Sequence, residues 1–215
     1  MIRAFYLILT FLLTIFSAAI SQNRFDYQSD IYTVLESSNT FSRLVINQSN
    51  NALTYEPIKE LDFPVNALGF RRTDRFIYGI REGTTDLYRI EPDGGLSLVQ
   101  TLNLDNELEY KAGEFSNDGR YYVVVGRNAE GDQGLFFVDM TSSNYAIQSV
   151  AMSGNTFIED LANKPFSEDW YGYDSANRNV LYINVDEAVL TGLYILPEKD
   201  RLESVYFDPF GNLYG

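Results

Sequence analysis

From residue 31 onward, short apolar runs alternate with turn-forming residues, and the runs return at a nearly fixed interval. Tyr-Gly stands at Tyr78-Gly79, Tyr171-Gly172 and Tyr214-Gly215, each time behind an apolar or aromatic residue (Ile77, Trp170, Leu213). Tyr32 and Tyr122 fill the same column, so successive tyrosines lie 46, 44, 49 and 43 residues apart. A second column, Phe41-Ser42-Arg43-Leu44, Leu87-Tyr88-Arg89-Ile90, Leu135-Phe136-Phe137-Val138 and Leu181-Tyr182-Ile183-Asn184, keeps step at 46, 48 and 46. A third precedes each tyrosine run (Val65 to Gly69, Tyr110 to Glu114, Ile158 to Ala162, Leu202 to Tyr206). A weaker fourth follows the second column.

Between the columns, Asp93-Gly94-Gly95, Asn117-Asp118-Gly119 and Phe210-Gly211-Asn212 supply the positive backbone angles of tight hairpins. Pro92 and Pro209 end strands, because proline cannot donate to a ladder. Four short strands in 40 to 50 residues describe one blade of a β-propeller. The expected fold is therefore all-β, with four-stranded antiparallel blades of period about 46 residues. The blades are placed at 29–64, 65–109, 110–157 and 158–201, with the start of another at 202–215. The first strand of each blade is rich in small residues (Ala67, Gly69, Ala112, Gly113, Ser204), as the crowded axis requires. The second, such as Tyr121 to Val125, is apolar on both faces, and the fourth is the most polar. A β-sandwich would not repeat a Tyr-Gly column, and solenoid coils are shorter. The pattern enters at a second strand and stops inside another. An incomplete ring of about four blades is thus expected, with the chain continuing past Gly215 and an open four-bladed arc as the alternative.

The amino terminus is a separate object. Arg3, the apolar or hydroxyl run Ala4 to Phe16, and the small residues of Ser17-Ala18-Ala19-Ile20-Ser21 have the layout of a secretory signal. Cleavage is expected between Ser21 and Gln22, leaving 22–215 as the repeat domain. The alternative is an uncleaved membrane anchor, but the apolar run is shorter than the ~20 residues of a bilayer span. No other stretch approaches that length, so the mature chain is not expected to span a membrane. Export to the medium, cell surface or periplasm follows, and Asn47-Gln48-Ser49 is a glycosylation sequon. Loss of Arg3, the only charge in the signal, takes the formal net charge from -14 to -15. Such acidity argues against nucleic acid or anionic membrane as partners.

With the columns in view, the chain resembles a group of secreted bacterial propeller-like repeat domains of unknown function. Their pattern stands here as Ala67-Leu68-Gly69-Phe70, Ile77-Tyr78-Gly79-Ile80, Leu87-Tyr88-Arg89-Ile90 and Asp93-Gly94. The likeness is best over residues 65 to 102. It weakens in later blades, where Val123 stands for Gly79 and Phe137 and Ile183 stand for Arg89. The resemblance implies a module of a larger surface or secreted protein, beside adhesion-type domains, and it brings no catalytic residue with it.

Composition narrows the chemistry. There is no His and no Cys, which removes His-based triads, thiol catalysis and ordinary zinc or iron sites. No phosphate loop or dinucleotide fingerprint is present. Carboxylate chemistry of the glycosidase kind remains open, with Glu114, Glu159, Asp160 and Glu203 as the axial candidates among 30 acidic residues. The bland reading makes them solvated strand-end acids. No cofactor is expected. Calcium is the ion best matched to oxygen-rich loops, and Asn128-Ala129-Glu130-Gly131-Asp132 and Asn117-Asp118 are its best clusters, though neither has a defined calcium-loop spacing. Trp170-Tyr171-Gly172-Tyr173 is either a sugar-stacking platform or, as its place in a second strand favours, inter-blade packing. Arg71-Arg72 reads as solvated hairpin decoration. The leading expectation is a non-enzymatic binding or scaffold module that holds a protein or glycan on loops at one end of the ring. The opposing one is an extracellular carbohydrate-active or calcium-dependent hydrolase.

Overall fold

The structure, a computed structural model, describes residues 24–26, 31–47, 52–152, 156–184, 189–197, 202, 204–208 and 210–214. The segment expected to be a signal, with the expected Ser21–Gln22 cleavage point, Gln48-Ser49 of the sequon and Glu203 lie outside the described residues. Among those described there are seventeen strands and no helix. No helix is therefore long and apolar enough to cross a membrane.

All pairing is antiparallel between neighbours in the chain. Sheet 1 holds β1 (Ile31–Leu35), β2 (Thr40–Asn47) and β3 (Ala52–Glu60). Sheet 2 holds β4 (Val65–Arg71), β5 (Phe76–Arg81), β6 (Asp86–Ile90) and β7 (Leu96–Thr101). Sheet 3 holds β8 (Glu109–Phe115), β9 (Tyr121–Arg127), β10 (Gln133–Asp139) and β11 (Ile147–Met152). Sheet 4 holds β12 (Ile158–Asn163), β13 (Trp170–Asp174), β14 (Asn179–Asn184) and β15 (Val189–Ile195). A last pair, β16 (Tyr206–Phe207) and β17 (Leu213–Tyr214), begins a fifth unit. These are propeller blades at the expected period, and β1 takes the place that a second strand has in the later blades.

The blades stack because their second strands are apolar on both faces. Residues 76 to 80 of β5 and 122 to 126 of β9 are all buried, and each large aliphatic side chain so placed contributes roughly 1.5–3 kcal/mol. One core forms at each junction: around Phe41, Val65 and Ile77 between blades 1 and 2, and around Tyr78, Leu87 and Tyr122 between blades 2 and 3. The next are built around Val123, Trp170 and Leu181 between blades 3 and 4, and around Tyr173 and Val205 where the fifth unit begins. First strands touch in succession, β4 on β8, β8 on β12 and β12 on β16. The closest approach requires Gly113: a Cβ there would lie 2.2 Å from the Ala67 carbonyl oxygen.

Strand register refines the tyrosine column. Four residues separate Arg71 from its partner Phe76, and four separate Ser116 from Tyr121, whose carbonyl accepts the Ser116 N–H. Tyr78 is therefore equivalent to Val123, not to Tyr122. Tyr32, Tyr78 and Tyr171 face the following blade, whereas Tyr122 points back into the core it shares with Tyr78. All five tyrosines do lie in matching strands, but a spacing of 44 instead of 45 reverses the face at Tyr122. By the same register, Gly79 corresponds to Val124, Leu87 to Val180, and Arg89 to Phe137 and Tyr182.

The turns repeat as well. Asn39, Gly83, Gly131 and Arg178 hold positive φ in the second-to-third-strand turns, and Arg75, Gly119, Phe166 and Gly211 in the first-to-second-strand turns. Gly94 and Tyr145 do so between third and fourth strands.

Candidate functional site

The axial carboxylates are tied into the backbone. Glu114, on β8, accepts the N–H of its own strand neighbour Phe115 at 2.6 Å. Asp160, on β12, accepts the Leu161 N–H at 2.9 Å and the Val205 N–H at 2.7 Å from the following unit. Burial among these strands pushes Glu114 up to about 8 against the pull of the Phe115 N–H, with the nearby Asp160 charge adding to the rise. Burial likewise pushes Asp160 up to about 7, opposed by the Val205 and Leu161 N–H groups. Glu159 accepts the Ser175 hydroxyl at 3.1 Å. Asp160 thus bridges to the following unit, and Glu114 is tied to its own strand, roles that neither the glycosidase nor the solvated-acid reading anticipates.

Other side chains join blades in the same way. Arg71 is no solvated decoration: half-buried, it donates from Nε to the Gly119 carbonyl of the next blade at 2.8 Å and from its guanidinium to Asp74 at 2.9 Å. Asn117 donates to the carbonyls of Lys164 and Ser167 at 2.6 and 2.7 Å, closing blade 3 onto blade 4. Tyr122 donates its buried hydroxyl to the Ala67 carbonyl, which the positive φ of Ala67 and the bulge between Asn66 and Gly69 turn out of the ladder. None of these roles has a sequence signature, since each depends on which turn of the neighbouring blade lies within reach.

The loops weighed for calcium close on themselves. Asn128 accepts the Asp132 N–H at 2.8 Å and donates to its carboxylate at 3.2 Å. Asp118 accepts the Ser116 hydroxyl at 2.6 Å and the Arg120 N–H at 2.9 Å. Among the described residues no three His, Cys, Asp or Glu side chains come together as a metal site would need. Trp170 is buried, edge-on to Phe137 at 6.4 Å, and Tyr171 packs on Tyr182 and Phe207. That stretch is inter-blade packing, as its strand position indicates.

An open site lies elsewhere, on the flank between blades 2 and 3. A cleft of about 540 Å³ runs between the crossover after β7 and the outer half of blade 3. Asn103, Asp105, Asn144 and Ser149 give it polar groups, and Phe136 and Tyr145 give it aromatic walls. Both rings are half-buried against the core of that junction, while the four polar residues are exposed. Asp105 is the only charged residue in the lining, so the arrangement suits recognition of an uncharged polar ligand.

Several solved structures share the fold. A chain of a nidogen/laminin complex aligns with TM-score 0.57 at 9% identity, over 84% of this chain and 81% of that one. Virginiamycin B lyase from Staphylococcus aureus aligns with TM-score 0.53 at 10% identity, over 83% of this chain and 56% of that one. A protein of unknown function from Bacteroides thetaiotaomicron gives TM-score 0.58 at 10% identity, over 88% and 54%. The chain therefore spans little more than half the length of the latter two, and identities this low show the fold alone. No curated protein matches the chain. The family described as a repeat of unknown function (DUF6923) matches residues 30–212, from β1 through β16, and the chain belongs to it.

Proposed function

We propose that this propeller is an exported, non-enzymatic binding or scaffold module of a surface or secreted protein, holding a protein or glycan. The observation that carries the reading is the engagement of the axial acids. Asp160 accepts the Val205 N–H of the following unit as well as the Leu161 N–H, and Glu114 accepts the Phe115 N–H of its own strand, so both carboxyls are engaged by backbone. The signal layout of residues 1–21 supports export, and the acidic balance supports a partner other than nucleic acid. One observation favours the second reading, a carbohydrate-active hydrolase. Carboxyl groups raised to about 8 and about 7 have the proton affinity of a general acid.

One experiment separates the two. The full chain, expressed from its own start and collected after export, is incubated on immobilised cell-envelope material and polysaccharides. Retained protein and released fragments are both measured, for wild type and for Glu114→Gln/Asp160→Asn. The module reading predicts equal retention of both forms and no fragments. Fragments released by wild type and lost in the double variant would establish the hydrolase. Sequencing the exported chain is expected to return Gln22 as its first residue, and an intact Met1 in the cell pellet would refute export.

A further inference from the structure

We propose that the flank cleft between blades 2 and 3 binds a neutral saccharide, with Tyr145 as its stacking surface; this rests on the binding-module reading and names its ligand class. Tyr145 carries the argument. It stands just before the closing residue of its turn, as Gly94 does in the preceding blade, in a turn three residues longer. It makes a like bond three residues back, Gly94 N–H on the Glu91 carbonyl at 2.8 Å and Tyr145 N–H on the Ser142 carbonyl at 3.2 Å. Both residues have positive φ, 77° at Gly94 and 50° at Tyr145. Glycine adopts that conformation without strain, whereas a bulky L-residue there is strained, as Arg75, Phe166 and Arg178 are in other turns of this chain. Blade 2 shows that the turn does not require a large side chain, and here the ring it carries lines the cleft.

The turn also fixes the ring firmly. Ser142 accepts the Ala146 N–H on its hydroxyl at 2.7 Å and donates to the Asp139 carbonyl at 2.9 Å. The ring then packs partly on the inter-blade core and partly lines the cleft. An aromatic held this way pre-pays its ordering before a ligand arrives.

The polar groups around it are available. The side-chain amides of Asn103 and Asn144 and the Ser149 hydroxyl line the cleft, and none makes a hydrogen bond among the described residues. Each amide offers two donors and an acceptor with two lone pairs, a set that matches neighbouring hydroxyls on a sugar ring. An apolar sugar face against an aromatic, with its hydroxyl edge against amides, satisfies both halves of the lining. The lining contains no Lys or Arg, and Asp105 would repel an anion. Sialylated, sulfated and uronic sugars are therefore selected against. The cleft volume falls in the range of about 300–1,000 Å³ typical of small-molecule sites, although its exposed rim points to a weak affinity, with Kd on the order of 1 mM.

The test is saturation-transfer NMR on the full exported chain with cellobiose, maltose, lactose and diacetylchitobiose, and with sialyllactose as the anionic comparison. The decisive variant is Tyr145→Gly, which restores the residue that blade 2 uses and so keeps the turn folded. Transfer to at least one neutral sugar, abolished in Tyr145→Gly and weakened about fivefold or more in Asn103→Ala/Asn144→Ala, is the expected result. A sugar bound equally well by Tyr145→Gly overturns the site, and stronger transfer to sialyllactose than to lactose overturns the ligand class. If no sugar binds yet the chain is still retained on envelope material, the saccharide assignment fails and the module reading stands. If retention is also absent, both fail.

Discussion

Replacing Gly113 by alanine tests how closely the first strands meet at the axis. An added Cβ would sit 2.2 Å from the Ala67 carbonyl oxygen, 2.7 Å from its carbonyl carbon and 3.0 Å from its Cβ. Carbon atoms in good contact lie ~3.5–4.0 Å apart, so relief demands movement of about 1 Å. The obstacle is backbone, and no rotamer change can absorb it. If β4 withdraws, the bond from the buried Tyr122 hydroxyl to the same carbonyl stretches too. Overpacking costs roughly 1–3 kcal/mol, and weakening a buried hydrogen bond adds about 0.5–1.5 kcal/mol. The sum, about 1.5–4.5 kcal/mol, corresponds to a fall in Tm of roughly 3–18 °C for a domain of this size. Thermal unfolding followed by far-ultraviolet circular dichroism measures it. Gly131→Ala is the comparison, because Gly131 has φ 94° but nothing within 4 Å of an added Cβ; its cost is limited to about 1–2 kcal/mol of backbone strain. A Gly113→Ala melting point within 1–2 °C of wild type would refute the close approach of β4 and β8.

Three other outcomes follow from the inter-blade ties. Glu114 and Asp160 have folded-state proton affinities raised above the ordinary carboxylate range, so their stabilising contribution is complete in acid and lost as pH rises through about 7 and about 8. Asp139, held low by hydrogen bonds from Thr141 and Arg120, acts in the opposite sense only at strongly acid pH. Denaturant titrations between about pH 5 and pH 9 should therefore show stability falling with pH, and Glu114→Gln/Asp160→Asn should flatten that slope. Tyr122→Phe leaves the Ala67 carbonyl without the hydroxyl that now donates to it, and should cost about 1–2 kcal/mol in urea unfolding. A neutral result would place that hydroxyl elsewhere. Asn117→Ala removes both bonds from blade 3 to the Lys164–Ser167 turn, and should cost about 1–3 kcal/mol while hydrogen exchange quickens in residues 164–169.

The period, the strand order and the packing role of Trp170 were all legible in the sequence, because stacking forces apolar residues to return once per blade. Small residues at the axis were legible for the same reason, with Gly113 facing Ala67 as the extreme case. The face of Tyr122 was not, because matching residue type favoured a 44-residue step whereas the hairpin register sets 45. Arg71 looked like solvated decoration and Asn117 like a turn or calcium-loop residue, since their partners are backbone carbonyls 48 and 47 positions away. The cleft escaped notice because the crossover after β7 belongs to no column. One signal was present: Asn144-Tyr145-Ala146 stands where the preceding blade has Asp93-Gly94-Gly95, a change that makes sense only once the positive φ is known.

The surroundings of the Tyr122 ring give the most direct test of the stacked-blade account. Nuclear Overhauser spectra on selectively labelled protein should show contacts from that ring to the Ala67 methyl, 55 positions earlier, and to Phe115, whose ring it stacks on at 5.0 Å. Contacts to Trp170 instead would put Tyr122 on the opposite face of β9 and contradict both the register and the order of the blades.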